Sequence, residues 1–168
     1  MSDEKLQQEP ITAFDKLVRE EQEPASHLIG HFDYLNTSGR PEAAAVRALI
    51  DRWLSDYPET HRSEMIRRLR SRDDVLHSSS LFELMLHALL LRQGFAVVEI
   101  EPELPNRRSP DFLVEAPNGT RFYLEATIAL GMNNAAAGAD RRMREAIQAI
   151  DEVQSPDFFL HLHTQGTP

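Results

Sequence analysis

The 168-residue chain contains no cysteine. That excludes disulfide scaffolds, cysteine-ligated zinc, iron–sulfur clusters and thiol nucleophiles, so any metal chemistry would use oxygen or imidazole ligands. The same absence suits a reducing, cytoplasmic setting. Lysine is almost missing as well: Lys5 and Lys16 are the only two, and the other 16 of the 18 basic residues are arginines. Past residue 16 no side-chain amine is present to act as a base, a Schiff-base former or a P-loop lysine. Long apolar runs are lacking too. The longest, Leu84 to Leu91, is interrupted by His87 and falls far short of the ~20 residues that span a bilayer. No basic segment followed by an apolar run marks a secretion signal, so a soluble chain with no membrane partner is expected.

Acids outnumber bases by 27 to 18, a formal net charge of −9. Affinity for polyanions comes from lysine and arginine neutralising phosphates, so the total argues against general nucleic-acid binding while leaving local patches free to act. The length fits one folded unit with enough chain to bury a core.

Three segments follow from texture. Residues 1–40 hold four basic and eight acidic side chains and read as an acidic arm, the first 25 or so mobile or weakly helical. Residues 41–76 read as a helical segment. Pro41 stands at a first helical position before Ala45, Val46, Leu49, Ile50, Trp53 and Leu54 at helical spacing, and Tyr57-Pro58 ends the run. A second helix, from about 59 to 70, carries Met65, Ile66 and Leu69 on one face and the arginines between Arg62 and Arg72 around the rest, most simply a solvated charged face. Residues 77–168 read as an α/β core. Ser80 and Glu83 have capping-box spacing, which by itself would account for Glu83. The helix from 81 to 92 is apolar almost all round and stops at Gly94. Strands are predicted over 95–101, 111–115 and 121–129, with Asn118-Gly119 turning the last two into a hairpin. A flexible stretch over 131–138, a helix from Asp140 to about 153 capped by Asp140, and a strand over 157–164 complete the order. Alternating helices and strands of this kind suggest a layered sheet with helices against it.

Glu83 in the helix, Asp111 at the mouth of the second strand and Glu125 in the third are the suggestive carboxylates. Residues two apart on a strand share a face, so Glu125 and Thr127 would point together with Tyr123, while Phe122, Leu124, Ala126 and Ile128 face the core. The hairpin would bring Asp111 near Glu125. Two carboxylates at an open strand edge suit a hard cation such as magnesium, which takes oxygen ligands and keeps waters. Arg107 and Arg108, in the loop before Asp111, would border that cleft and contact phosphate.

Ser109-Pro110-Asp111-Phe112, then Leu124-Glu125-Ala126-Thr127, behind a helix bearing Glu83, resemble the PD-(D/E)XK nuclease superfamily over about residues 80–164. The resemblance implies a restriction-endonuclease-like core: helix, three strands, helix, strand, forming a mixed sheet flanked by helices. It implies a metal-dependent nuclease on DNA or RNA. Asp111 and Glu125 would ligate magnesium, or manganese in its place, the Ala126 carbonyl would be a further ligand, and Glu83 an outer acidic residue. The lysine that positions or activates water in that family falls on Thr127, which brings a hydroxyl and no charge. The alternative is therefore a non-catalytic descendant serving as a nucleic-acid or protein interaction module, monomeric or dimeric. Phe32-Asp33-Tyr34-Leu35-Asn36, Arg40-Pro41, Tyr57-Pro58 and Phe82-Glu83-Leu84 with His87 also resemble a group of uncharacterised bacterial proteins of this layout. For that group the end at Gly166-Thr167-Pro168 is early, so a fragment or shortened form is expected. His87 reads as a core histidine satisfied by one hydrogen bond, beside the alternative that it flanks the site with Glu83. His161 and His163 share a face of the last strand and read as partly exposed, not as a metal pair.

Overall fold

The computed structural model describes residues 11–105, 107–129 and 134–153. Among the described residues five helices and one three-stranded antiparallel sheet make a mixed α/β architecture. In chain order these are α1 (His31–Thr37), α2 (Pro41–Asp56), α3 (Glu59–Leu69), α4 (Asp74–Arg92), β1 (Ala96–Ile100), β2 (Phe112–Glu115), β3 (Arg121–Leu124) and α5 (Asn134–Asp151). The expected strand over 157–164, with His161 and His163, lies outside the described residues. No helix among those described is long and apolar enough to cross a membrane.

Apolar spacing explains the core. Ile50 and Leu54 of α2, Met65 and Leu69 of α3 and Leu84 of α4 are four-residue repeats or lone anchors on facing stripes, and all are buried. Phe112 and Val114, two apart on β2, close the core from the sheet side. The helix α4 is less enclosed than its composition suggests: Met85 and Leu89 on its far side and Leu91 in its last turn are exposed.

The helix α4 begins earlier than the capping-box reading places it. The Asp73 carboxylate accepts from the Val75 and Leu76 amides, a stronger local start than Ser80 could offer because it meets two orphan donors at once. Ser80 is thereby left mid-helix, its hydroxyl donating to the Leu76 carbonyl at 2.7 Å, and Glu83 is freed from any capping task. At the other end the Phe95 amide reaches the Leu90 carbonyl and the Gly94 amide the Leu91 carbonyl, both at 3.0 Å. With Gly94 at φ 81° this is a Schellman stop.

A one-residue bulge divides β1. Ala96 and Val97 pair with Glu115 and Val114, whereas Glu99 and Ile100 pair with Leu113 and Phe112, so Val98 is the extra residue. The hairpin between β2 and β3 forms as the Asn-Gly signal predicts, with a three-residue loop: the Ala116 amide donates to the Thr120 carbonyl at 2.8 Å and Gly119 takes φ 81°.

Two segments differ from their sequence reading. Residues 11–40 are not a loose arm. Ala13 and Phe14 are in the core, Arg70 donates to the Ala13 carbonyl and pairs with Asp15, and Glu21 bridges Ser38. Apolar density there is too low to show periodicity, yet two side chains suffice to anchor it. The helix α5 starts at Asn134, within the stretch expected to be flexible, and Asp140 lies inside the helix and does not cap it. The alanines at 135–137 are strong helix formers and favour a helix that begins ahead of Asp140.

Candidate functional site

The strands β2 and β3 pair from Glu115–Arg121 down to Phe112–Leu124. One step further in that register opposes Asp111 to Glu125, and the next opposes Pro110 to Ala126. Proline has no amide hydrogen and cannot continue the ladder. That leaves the Ala126 carbonyl without a ladder donor, and the Ala126 amide donates to the Asp111 carboxylate, to Oδ2 at 2.5 Å. For this reason β3 ends at Leu124, five residues short of its expected end, and no strand face is shared by Glu125 and Thr127. Both side chains are exposed. On the core side, Leu124 packs against the buried cluster, while Phe122 stays at the margin, edge-on to Phe95 with ring centroids 6.0 Å apart.

Glu83 is the buried member of the group, 4% exposed. Tyr57, at the end of α2, donates its hydroxyl to Oε1 at 2.9 Å, and the Arg68 guanidinium of α3 pairs with Oε2. Burial pushes the Glu83 carboxyl above its ordinary range; Arg68 and the Tyr57 hydroxyl pull it back, and the charge of Asp111 adds to the rise. Burial also drives the Tyr57 hydroxyl well above its usual value, with Glu83 reinforcing it.

His87, one turn beyond Glu83, lies with its ring centroid 4.8 Å from that of Tyr57 and 6.0 Å from that of Phe112. It is a core histidine as expected, but its Nδ1 is buried with no hydrogen-bond partner among the described residues. Burial lowers its pKa, keeping the ring neutral.

Arg68 was not singled out from the sequence, where the arginines of α3 read as a solvated face. Several of them are structural. Arg62 donates to the Tyr57 carbonyl at 2.8 Å, covering the end of α2, and Arg70 stacks over Phe32 with its guanidinium carbon 5.6 Å from the ring centroid. The available signal was spacing: Arg68 is three residues after Met65 and beside Leu69, on the margin of the apolar stripe. An arginine there and a glutamate between Ser80 and His87 on the buried side of α4 are candidates for each other.

Arg107 and Arg108 lie where the sequence reading puts them, in the loop before Asp111. The loop is held by a turn in which the Leu104 amide donates to the Arg108 carbonyl and the Arg107 amide to the Leu104 carbonyl, each at 2.9 Å. Arg107 sits at φ 60°, a left-handed conformation unusual for arginine. Two clefts adjoin this loop and share Leu104, Arg108 and Ser109. One, of about 490 Å³, adds Arg107 and Glu101, and the other, of about 500 Å³, adds Tyr123 and Glu125.

Among the described residues no group of three or more histidine, aspartate or glutamate side chains is placed to hold a metal ion. Glu83, with both oxygens engaged, is not an available ligand. What remains is a hard-oxygen set of Asp111, Glu125 and the Ala126 carbonyl. Its chemistry suits magnesium, which is commonly held by one or two carboxylates and completes its shell with water and substrate phosphate. Comparison of the chain with protein-family models, curated proteins and solved structures gave no match.

Proposed function

We propose that the segment from about residue 77 is a divergent restriction-endonuclease-like core that hydrolyses phosphodiester bonds of DNA or RNA in the cytoplasm. The observation that carries this reading is the register of β2 and β3, whose last pair is Phe112 with Leu124; continued by one step it would set Asp111 against Glu125 at the open end of the hairpin. The buried Glu83, whose carboxyl the charge of Asp111 helps to raise, supports it. Magnesium or manganese, held by Asp111, Glu125 and the Ala126 carbonyl, would supply a water of lowered pKa and charge neutralisation at the phosphate. Asp111 has a second task in this reading, since its bond to the Ala126 amide fixes the backbone that carries both Glu125 and the Ala126 carbonyl. Thr127, exposed in the same turn, offers a hydroxyl to orient a water. Arg107 and Arg108 supply positive charge beside the acids in place of the absent lysine. The test is cleavage of single- and double-stranded DNA and RNA with and without magnesium. Cleavage that needs the ion and is lost in Asp111→Ala is expected; equal behaviour of the two proteins on every substrate refutes the reading.

A second reading is favoured by the pairing of Glu83 with Arg68 together with the uncharged Thr127. A core whose inner acid is already neutralised, and which lacks the lysine, would serve as a binding module for nucleic acid or protein without cutting. It predicts no magnesium binding by calorimetry and a folded Glu125→Gln variant with undiminished partner binding.

A further inference from the structure

We propose that the paired clefts beside the loop 102–110 receive a short single-stranded stretch of nucleic acid, with one base stacked on Tyr123 and the adjoining phosphate held by Arg107 and Arg108. The proposal rests on the phosphodiester reading above and names the form of substrate that the site takes.

Three observations lead to it. Tyr123 is opposite Leu113 on the sheet face turned away from the core, between Phe122 and Leu124 of the other face, and it is 54% exposed. It lines the same cleft as Arg108 and Glu125, so a base lying on its ring would bring the adjoining backbone to the mouth of the acidic pair. The second observation is the shape of the loop. The turn from Leu104 to Arg108 and the bond from the Ser109 hydroxyl to the Pro102 carbonyl at 3.3 Å close the loop on itself. Arg107 holds a left-handed backbone and lines the first cleft, and Arg108 lines both. A non-glycine residue held in that conformation is of the kind that clusters at ligand clamps.

The third observation is charge. Glu101, Glu103 and Glu125 line the same clefts as the two arginines, on a chain of net charge −9. Two guanidinium groups cannot offset the phosphate track of a duplex, whose binding is dominated by many such contacts. Stacking does not depend on charge, and every base offers a face to it. A duplex keeps its bases stacked on each other, so the platform is usable only by an unpaired strand.

The experiment is fluorescence anisotropy of end-labelled eight-nucleotide DNA and RNA, single-stranded and in duplex form, with the full chain in EDTA. Single strands are expected to bind at least tenfold more tightly than the duplexes. Tyr123→Ala should weaken them on the order of 5- to 150-fold, the range for loss of one stacked base, while Tyr123→Phe retains binding. With one phosphate neutralised by the two arginines the log–log salt slope should be about −0.7, approaching zero in the Arg107→Ala, Arg108→Ala double variant. Duplexes bound as tightly as single strands, Tyr123→Ala indistinguishable from wild type, or no binding at all would overturn the proposal. Because EDTA suppresses metal-dependent cutting, the outcome is separate from hydrolysis. Binding as described with no cleavage removes the enzymatic reading alone, and cleavage of duplexes without this preference removes the single-strand proposal alone.

Discussion

Replacing Arg68 by methionine keeps the length of the side chain and removes the counter-ion of Glu83, whose side chain is 5% exposed against 20% for Arg68. Removal of one partner from a buried pair costs about 3–5 kcal/mol. Arg68 is partly reached by water and Glu83 keeps the Tyr57 hydroxyl, so the lower end, about 3 kcal/mol, is expected, a large share of the ~5–15 kcal/mol that holds a domain folded. For a urea dependence of about 2 kcal/mol per molar, the unfolding midpoint falls by about 1.5 M. The sign of the pH dependence follows from Glu83. Its folded pKa is already raised by burial and rises further without Arg68. A raised acid contributes stability that is present below its ordinary value of 4.5 and lost as pH climbs through the folded value. The Arg68→Met deficit is therefore smaller at pH 5 than at pH 8. Adding Glu83→Gln removes the stranded charge and restores most of the loss at pH 8. A midpoint shift below about 0.3 M at both pH values, or a double variant no more stable than the single one, would refute the reasoning.

Gly39→Ala should loosen the N-terminal strap, since the new Cβ would stand 2.4 Å from the Arg19 carbonyl oxygen. An overpacking penalty of ~1–3 kcal/mol is expected, with faster limited proteolysis between residues 20 and 27; an unchanged cleavage rate counts against the tight approach. His77 and His87 are both buried with lowered pKa values, burial being the main cause. A depressed base contributes stability that is lost as pH falls through the ordinary value of 6.5, opposite in sign to Glu83. Wild-type unfolding midpoints should drop between pH 7.5 and 5.5, by at most ~1.4 kcal/mol per histidine per pH unit, and His77→Asn with His87→Leu should flatten that slope.

The elements with local chemistry of their own were legible in the sequence. Pro41 and Tyr57-Pro58 bracket α2, Gly94 stops α4, and Asn118-Gly119 turns the hairpin, because each depends on a backbone preference of one or two residues. The place of Asp111 beside the backbone at Ala126 was legible because the hairpin register follows from its turn. What escaped depends on contacts far apart in the chain. Arg68 and Tyr57 meet Glu83 across three helices, and no spacing rule reports a partner fifteen or twenty-six residues away. The end of β3 was misjudged for a related reason. Its own residues favour extension through Ala129, and the proline that stops the ladder belongs to the neighbouring strand.

The bulge at Val98 bears on how this sheet tolerates insertions and deletions. An odd change in length normally turns the rest of a strand inside out. In β1 the extra residue already absorbs one such change: Val97 faces the core with Val114, Ile100 faces it with Phe112, and Glu99 between them stays outside. Loss of Val98 would leave Val97, Glu99 and Ile100 in plain alternation with the same residues inward. Among homologous chains, length variation by one residue is thus compatible with an unchanged core at this point of β1, whereas the same variation in β2 would turn Phe112 or Val114 outward.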